Sequence, residues 1–125
     1  MKGVVYDLDG RVLLGLNGRD EWELPGGRME PEETPEQCVA REIFEEAGLR
    51  VQVGKRIGDW DFEVLPGQHV KIVAFGCRSV GRQHPTASAE HQDVRFWATE
   101  DLVGLPLPDV YRRALVLYPP DSASR

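Results

Sequence analysis

Glu42, Glu45 and Glu46 stand close together in the stretch AREIFEEAGL. On a helix they fall at i, i+3 and i+4 and share one side. Two chemistries suit such a triplet. It can be a solvated acidic face, the common fate of charge runs. It can also be a set of oxygen ligands for a hard divalent cation such as Mg2+, which combines carboxylates with waters and substrate phosphates. Like charges at this spacing cost a few tenths of a kcal/mol. Acids near a helix C-terminus also oppose the macrodipole, so a solvated face would do better with lysines. A bound cation supplies a reason for the arrangement.

The elements around the triplet can position it. Thr34 suits a helix N-cap, Pro35 the first helical position and Gln37 the far side of a capping box. Gly48 suits a left-handed cap. Ala40, Ile43, Phe44 and Ala47 recur at spacings of three and four and form an apolar face. Upstream, KGVVYDLDGRVLLGLN reads as two strands joined at Asp9-Gly10, a hairpin dipeptide. EWELPGG is a short extended piece stopped by Pro25 and two glycines. Downstream, strand-like segments near Val51–Gly58 and Asp59–Leu65 lead to a turn at Pro66-Gly67. HVKIVAFGCRSV, apolar on both faces, reads as a central strand covered on both sides. VRFWAT is a further strand, and LPDVYRRALVLY a second helix begun by Asp109 or Pro108. Mixed strands with two helices make the fold class α+β or an α/β sandwich.

The chain's 125 residues suit one domain over residues 1–118, with 119–125 as a frayed tail. The net charge of −6 argues against broad attraction to a nucleic-acid duplex or an anionic membrane. It leaves room for an anionic small substrate, because a bound metal reverses the local sign. Cys38 and Cys77 form no disulfide framework or zinc pattern. No apolar run is long enough to span a bilayer, and MKGVVYDLDG lacks the layout of a secretion signal, so the expected compartment is the cytoplasm.

Gly27, five residues, Glu33, seven residues and then Arg41-Glu42-Ile43-Phe44-Glu45-Glu46-Ala47-Gly48-Leu49 match the signature of the Nudix hydrolases, G-x(5)-E-x(7)-R-E-U-x-E-E-x-G-U. The chain therefore resembles that family, and the preceding WELPGG extends the likeness. The resemblance implies an α/β/α sandwich with a mixed central sheet. It implies cleavage of a nucleoside diphosphate linked to another moiety by water attack on phosphorus, with Mg2+ or Mn2+ as cofactor. Glu45 and Glu46 become the principal metal ligands, and Glu42 a further ligand or the base that activates water. The Gly26 carbonyl is an additional ligand. Arg41 and Glu33 pair to brace the loop against the helix. Gly27 and Gly48 take backbone conformations that other residues resist.

Outside the signature, Glu90 in SAEHQDVRFW matches a glutamate that often adds a metal ligand or base; otherwise it is a polar loop residue. His91, His69 and His84 read as surface histidines. Length and strand order are similar to the MutT-like branch, which converts nucleoside triphosphates to monophosphate and pyrophosphate. There, Asp109 would read the base, although it also suits a helix N-cap. Trp22 and Phe75 would stack on a base or fill the core. Arg19 is the basic residue left near the second strand to meet phosphates. The resemblance also admits nucleotide-sugar or ADP-ribose hydrolysis, a non-catalytic nucleotide-sensing domain, and a homodimer.

Overall fold

A computed structural model describes residues 1–88 and 91–120. Its elements are β1 (Lys2–Tyr6), β2 (Val12–Leu16), β3 (Trp22–Glu23), α1 (Pro35–Ala47), β4 (Val51–Leu65), β5 (Gln68–Ser79), β6 (Asp93–Trp97), a 3-10 turn (Thr99–Leu102) and α2 (Asp109–Leu117). The strands form one mixed sheet in the order β3-β2-β1-β5-β4, and β6 pairs with β2. β1 and β5 run parallel, with Lys2 opposite Ala74 and Tyr6 opposite Arg78. The remaining pairs are antiparallel.

Period-two alternation places the core on both faces of this sheet. Val4, Tyr6, Leu14 and Ala74 face α2 and pack with Val110, Tyr111 and Ala114. Val5, Leu13, Phe75 and Cys77 face α1 and pack with Val39, Ile43 and Ala47. The result is the expected α/β/α sandwich. Gly3 lets α1 come close to β1: a Cβ there would lie 2.8 Å from Ile43 Cδ1 and 2.9 Å from Val39 Cγ1. The Tyr6 hydroxyl donates to the Tyr118 carbonyl at 2.6 Å and pins the end of α2 to the same strand.

The hairpin at Asp9-Gly10, the capping box and the left-handed Gly48 cap form as expected. Thr34 accepts from the Gln37 N–H, Gln37 accepts from the Thr34 N–H, and Gly48 has φ 70°. Two expectations change. The segments Val51–Gly58 and Asp59–Leu65 are one 15-residue strand, β4, with register shifts between Val53 and Gly58. Gly54 and Gly58 mark irregular pairing there rather than a turn. A Cβ on Gly54 would lie 3.1 Å from the Gly76 carbonyl oxygen, a close backbone approach of the kind glycine permits. β5 is buried where it adjoins β1, from Ile72 to Cys77, but its first four residues are exposed in a ribbon shared with β4.

The apolar face of α1 is also rotated from the expected one. Ile43 and Ala47 are buried, but so are Cys38 and Val39, whereas Phe44 is 52% exposed. Arg50 lies over the Phe44 ring at 6.0 Å from its centroid. Glu46 shares the inward face and is only 4% exposed. Burying Val39 and Ile43 stabilises the helix by about 1.5–3 kcal/mol each, several times the cost of a like-charge pair on its surface. Packing therefore sets the rotation, and one glutamate is carried inside with it.

Candidate active site

Glu46 meets Gly26 and Glu42 meets Gly27 beside the N-terminal end of β1, while Glu45 reaches only Arg41 among the described residues. The strands arrange this meeting. β2 leaves β1 after a single pairing at Tyr6–Val12, and the segment from Trp22 to Gly26 crosses the gap. The Gly3 N–H donates to the Pro25 carbonyl, and the Gly27 N–H to the Met1 carbonyl. This leaves Lys2 and Gly26 as an isolated antiparallel bridge. In such a non-hydrogen-bonded pair, N–H and C=O both point away from the partner strand. The freed Gly26 N–H donates to Glu46 Oε2 at 2.8 Å.

Arg41 organises the outer part of the site. Its Nε donates to Glu33 Oε2 at 2.6 Å and its Nη2 to Glu33 Oε1 at 3.0 Å, a bidentate clamp. Nη2 also donates to the Arg28 carbonyl, which ties the glycine loop to the helix. Nη1 donates to both Glu42 Oε1 at 2.8 Å and Glu45 Oε2 at 3.0 Å. One cationic nitrogen thus sits on two carboxylates. This offsets the like-charge repulsion that is apparent in the sequence.

Paired hydrogen bonds from Arg41 hold the Glu33 carboxyl down at about 2, below the ordinary 4.5. A depressed carboxyl stabilises the fold above its unfolded pKa, and that contribution disappears as pH falls through the folded one. The wild-type melting temperature should therefore fall more steeply than that of Glu33→Gln between about pH 4.5 and pH 2. Thermal melts of both proteins across that window test it; parallel curves would refute the clamp.

Burial works the other way on Glu46 and pushes its carboxyl up to about 7, despite the Gly26 N–H. Glu42 adds to the rise by charge repulsion. A cation nearby would restore the ionised form.

Gly27 acts differently from expectation. Its backbone is not at positive φ; of the two glycines in this loop it is Gly26 that is, with φ 149°. Gly27 instead makes room. A Cβ there would lie 2.5 Å from Glu42 Cδ and 2.6 Å from its Oε2, so the Glu42 carboxylate rests in the space glycine leaves. Gly27→Ala should displace that carboxylate at little cost in stability. A shift of about 1 Å in a reacting group costs roughly 10²-fold in rate, and steady-state kinetics beside a thermal melt checks this.

Among the described residues, no three Asp, Glu, His or Cys side chains converge as a ready-made metal shell. The donor set nevertheless suits a hard divalent ion. Its ligand atoms are carboxylate and carbonyl oxygens. Arg41 Nη1 already draws Glu42 and Glu45 onto one positive centre, and Glu46 is a buried carboxylate in need of positive charge.

The remaining predicted residues separate. Glu90 lies outside the described residues. Phe75 is 6% exposed in the α1-side core and does not reach the site. Trp22 is 7% exposed on the α2 side, edge-on to Trp97 with 4.9 Å between centroids. Both are core aromatics rather than stacking platforms. Asp109 is exposed in the first turn of α2, and Pro108 occupies the N-cap position. The Arg19 side chain is 56% exposed and pairs with Glu21.

Two residues were missed. His91 is not on the surface: its side chain is 6% exposed, with Nε2 3.7 Å from Glu23 Oε2 and Nδ1 buried without a hydrogen-bond partner. Its ring occupies the space above Gly15, where a Cβ would meet His91 Cδ2 at 2.7 Å. Glycine inside the apolar strand VLLGL was the available signal, since it marks a close approach. Lys2, the second, reaches Glu23 Oε2 at 3.3 Å. A crevice of about 850 Å³ at the opposite end of β1, around Tyr6, Arg11 and Ser79, contains none of the predicted residues.

Comparison with known proteins identifies the family. A family model described as NUDIX domain matches residues 2–118. A MutT-like protein of Streptomyces ambofaciens is 38% identical over 111 residues, covering 87% of this chain and 68% of that protein. The CTP pyrophosphohydrolase of Escherichia coli strain K12 is 30% identical over 109 residues, covering 82% of this chain and 78% of that enzyme. The crystal structure of an ADP-ribose pyrophosphatase from Streptococcus suis superposes with a TM-score of 0.74 at 27% identity, covering 99% of this chain and 89% of that one. With the signature, the sandwich and these relatives in agreement, the chain belongs to the Nudix hydrolase family, enzymes that open phosphoric anhydride bonds in nucleoside diphosphate derivatives.

Proposed function

We propose that this chain is a Mg2+-dependent pyrophosphohydrolase that converts a nucleoside triphosphate to its monophosphate and pyrophosphate. The observation that carries the reading is the joint placement of Glu42 and Glu45 on one cationic nitrogen, with Glu46 held at the Gly26 backbone. Glu45, Glu46 and the Gly26 carbonyl would hold the ion, joined by Glu90, with Glu42 as a further ligand or as the base that activates water. When bound, Mg2+ neutralises phosphate charge and makes water a better nucleophile, with Mn2+ as a substitute.

The chain's own residues do the rest. Arg41 and Glu33 hold the glycine loop at a set distance from α1. Gly27 leaves space for the Glu42 carboxylate to approach a water and accept its proton. The water oxygen bonds to phosphorus as the anhydride P–O bond breaks, and the leaving phosphate takes the electron pair. Similarity to a MutT-like protein and to a CTP pyrophosphohydrolase favours a triphosphate substrate.

A product-resolved screen of nucleotides, nucleotide sugars and dinucleoside polyphosphates with Mg2+ or Mn2+, run in ¹⁸O water, tests this. Monophosphate plus pyrophosphate, with ¹⁸O in one of them, is expected. No release across the panel would overturn it. A second reading, ADP-ribose hydrolysis, draws on the likeness to the Streptococcus suis enzyme and would release a sugar phosphate instead.

A further inference from the structure

We propose that Lys2 is a substrate-contacting residue whose ammonium donates to an acceptor oxygen of the bound nucleotide. The inference rests on the nucleotide reading above and assigns a cation to it. Lys2 lies directly across the β1 bridge from Gly26. Its Nζ is 3.3 Å from Glu23 Oε2 and 5.8 Å from the centroid of the Tyr111 ring on α2. The side chain is only 15% exposed. Its head therefore lies between Glu23 and α2, on the strand that bridges to Gly26.

Charge accounting favours it over the other cations near the site. Arg41 is engaged by Glu33, Glu42, Glu45 and the Arg28 carbonyl. Arg19 is mostly exposed and faces Glu21. The His91 imidazole is buried and faces Glu23, with Nε2 3.7 Å from Glu23 Oε2. Lys2 carries three donors and, among the described residues, has one carboxylate within salt-bridge distance.

A buried Lys–Glu pair is weak as a stabilising device, because apolar residues of similar volume hold two strands together as well. Glu23 is in any case supplied with a donor by Asn17 Nδ2 at 2.8 Å. The pair is better explained as preorganisation. Glu23 and the Tyr111 ring fix a flexible four-carbon side chain, so that the donors left without a partner among the described residues can meet an oxygen arriving with the substrate. Two sources offer that oxygen, a base carbonyl and a phosphate.

The test compares Lys2→Gln with wild type in three readouts: kcat and KM across the four common triphosphates, binding of each monophosphate and of inorganic pyrophosphate, and Mn2+ affinity by electron paramagnetic resonance. The expected result is a loss in kcat/KM of about tenfold or more with Mn2+ affinity within twofold. A base contact makes the loss depend on the nucleotide and weakens monophosphate binding alone. A phosphate contact makes the loss uniform and weakens pyrophosphate binding.

Unchanged kcat/KM and unchanged product binding would overturn the proposal. So would a fall in Mn2+ affinity matching the fall in rate. If Lys2→Gln does not fold, Lys2→Arg retains the charge on a longer, planar head. A KM or base-preference change of threefold or more at unchanged Mn2+ affinity then supports the contact, and no change removes it. The monophosphate-binding arm reads Lys2 even if wild type releases no pyrophosphate, so its failure is separable from that of the triphosphate reading.

Discussion

Glu46→Gln is expected to lose catalysis while keeping, or gaining, thermal stability. Removing a ligand from a metal that supplies several kcal/mol of charge stabilisation lowers kcat by about 10²–10⁴-fold, at about 1.4 kcal/mol per factor of ten. The fold should tolerate the change. Gln retains a side-chain oxygen to accept the Gly26 N–H that Glu46 Oε2 now receives at 2.8 Å. The substitution also removes a carboxylate that burial disfavours in its ionised form. At pH 8 without metal, the variant should melt at or above the wild-type temperature. Pyrophosphate release, Mn2+ titration and a thermal melt on one preparation decide it. A variant that loses activity only by unfolding would refute the assignment, as would one with wild-type turnover. Opposite signs for rate and stability are the signature of a group placed for chemistry at a cost to the fold.

Gly26→Ala should be the most damaging single methyl group in the chain. The Gly26 φ of 149° is one that side chains rarely adopt. A Cβ built there would sit 2.0 Å from the Met1 carbonyl oxygen and 2.8 Å from Lys2 Cα. Both obstacles are backbone, so no rotamer change relieves them. Strain of about 1–3 kcal/mol for the backbone, plus a similar overpacking cost, predicts a melting temperature lower by on the order of 10 °C or failure to fold. The contrast with Gly27→Ala is informative. There the obstacle is the end of the Glu42 side chain, so the cost should appear in rate rather than in stability. Expression, melts and kinetics of the two variants side by side separate the roles. Equal stability losses would contradict the distinction.

The placement of α1 was mostly legible in advance because its signals are local. Thr34, Gln37 and Gly48 act on backbone within a turn of themselves, so the helix ends needed no knowledge of the rest of the fold. Its rotation was not legible. Phe44 and Val39 are comparably apolar, and only β1 and β5, contributed from distant parts of the chain, decide that Val39 packs and Phe44 faces Arg50. The same packing turns Glu46 inward. The expected single face of three carboxylates is instead two held by Arg41 and one buried against Gly26.

His91 illustrates the limit most clearly. A histidine in a polar loop reads as solvated, and its burial depends on the absence of a side chain at Gly15, on another strand. Trp22 and Phe75 were open between base stacking and core; the sheet's two faces assign each to a different core layer.

By itself the sequence determined the chemistry. The spacing of Gly27, Glu33, Arg41, Glu42, Glu45 and Glu46 fixes which groups share a helix side and a loop, because helical geometry and short loops leave little freedom at that range. The tertiary structure alone decided how that chemistry is presented. The split between β1 and β2 brings Gly26 to Glu46, and the bridge at Gly26 brings Lys2 to the same place. Those contacts join residues 20 or more positions apart. Pairing over such distances is set by the packing of the whole sheet, which no local pattern encodes.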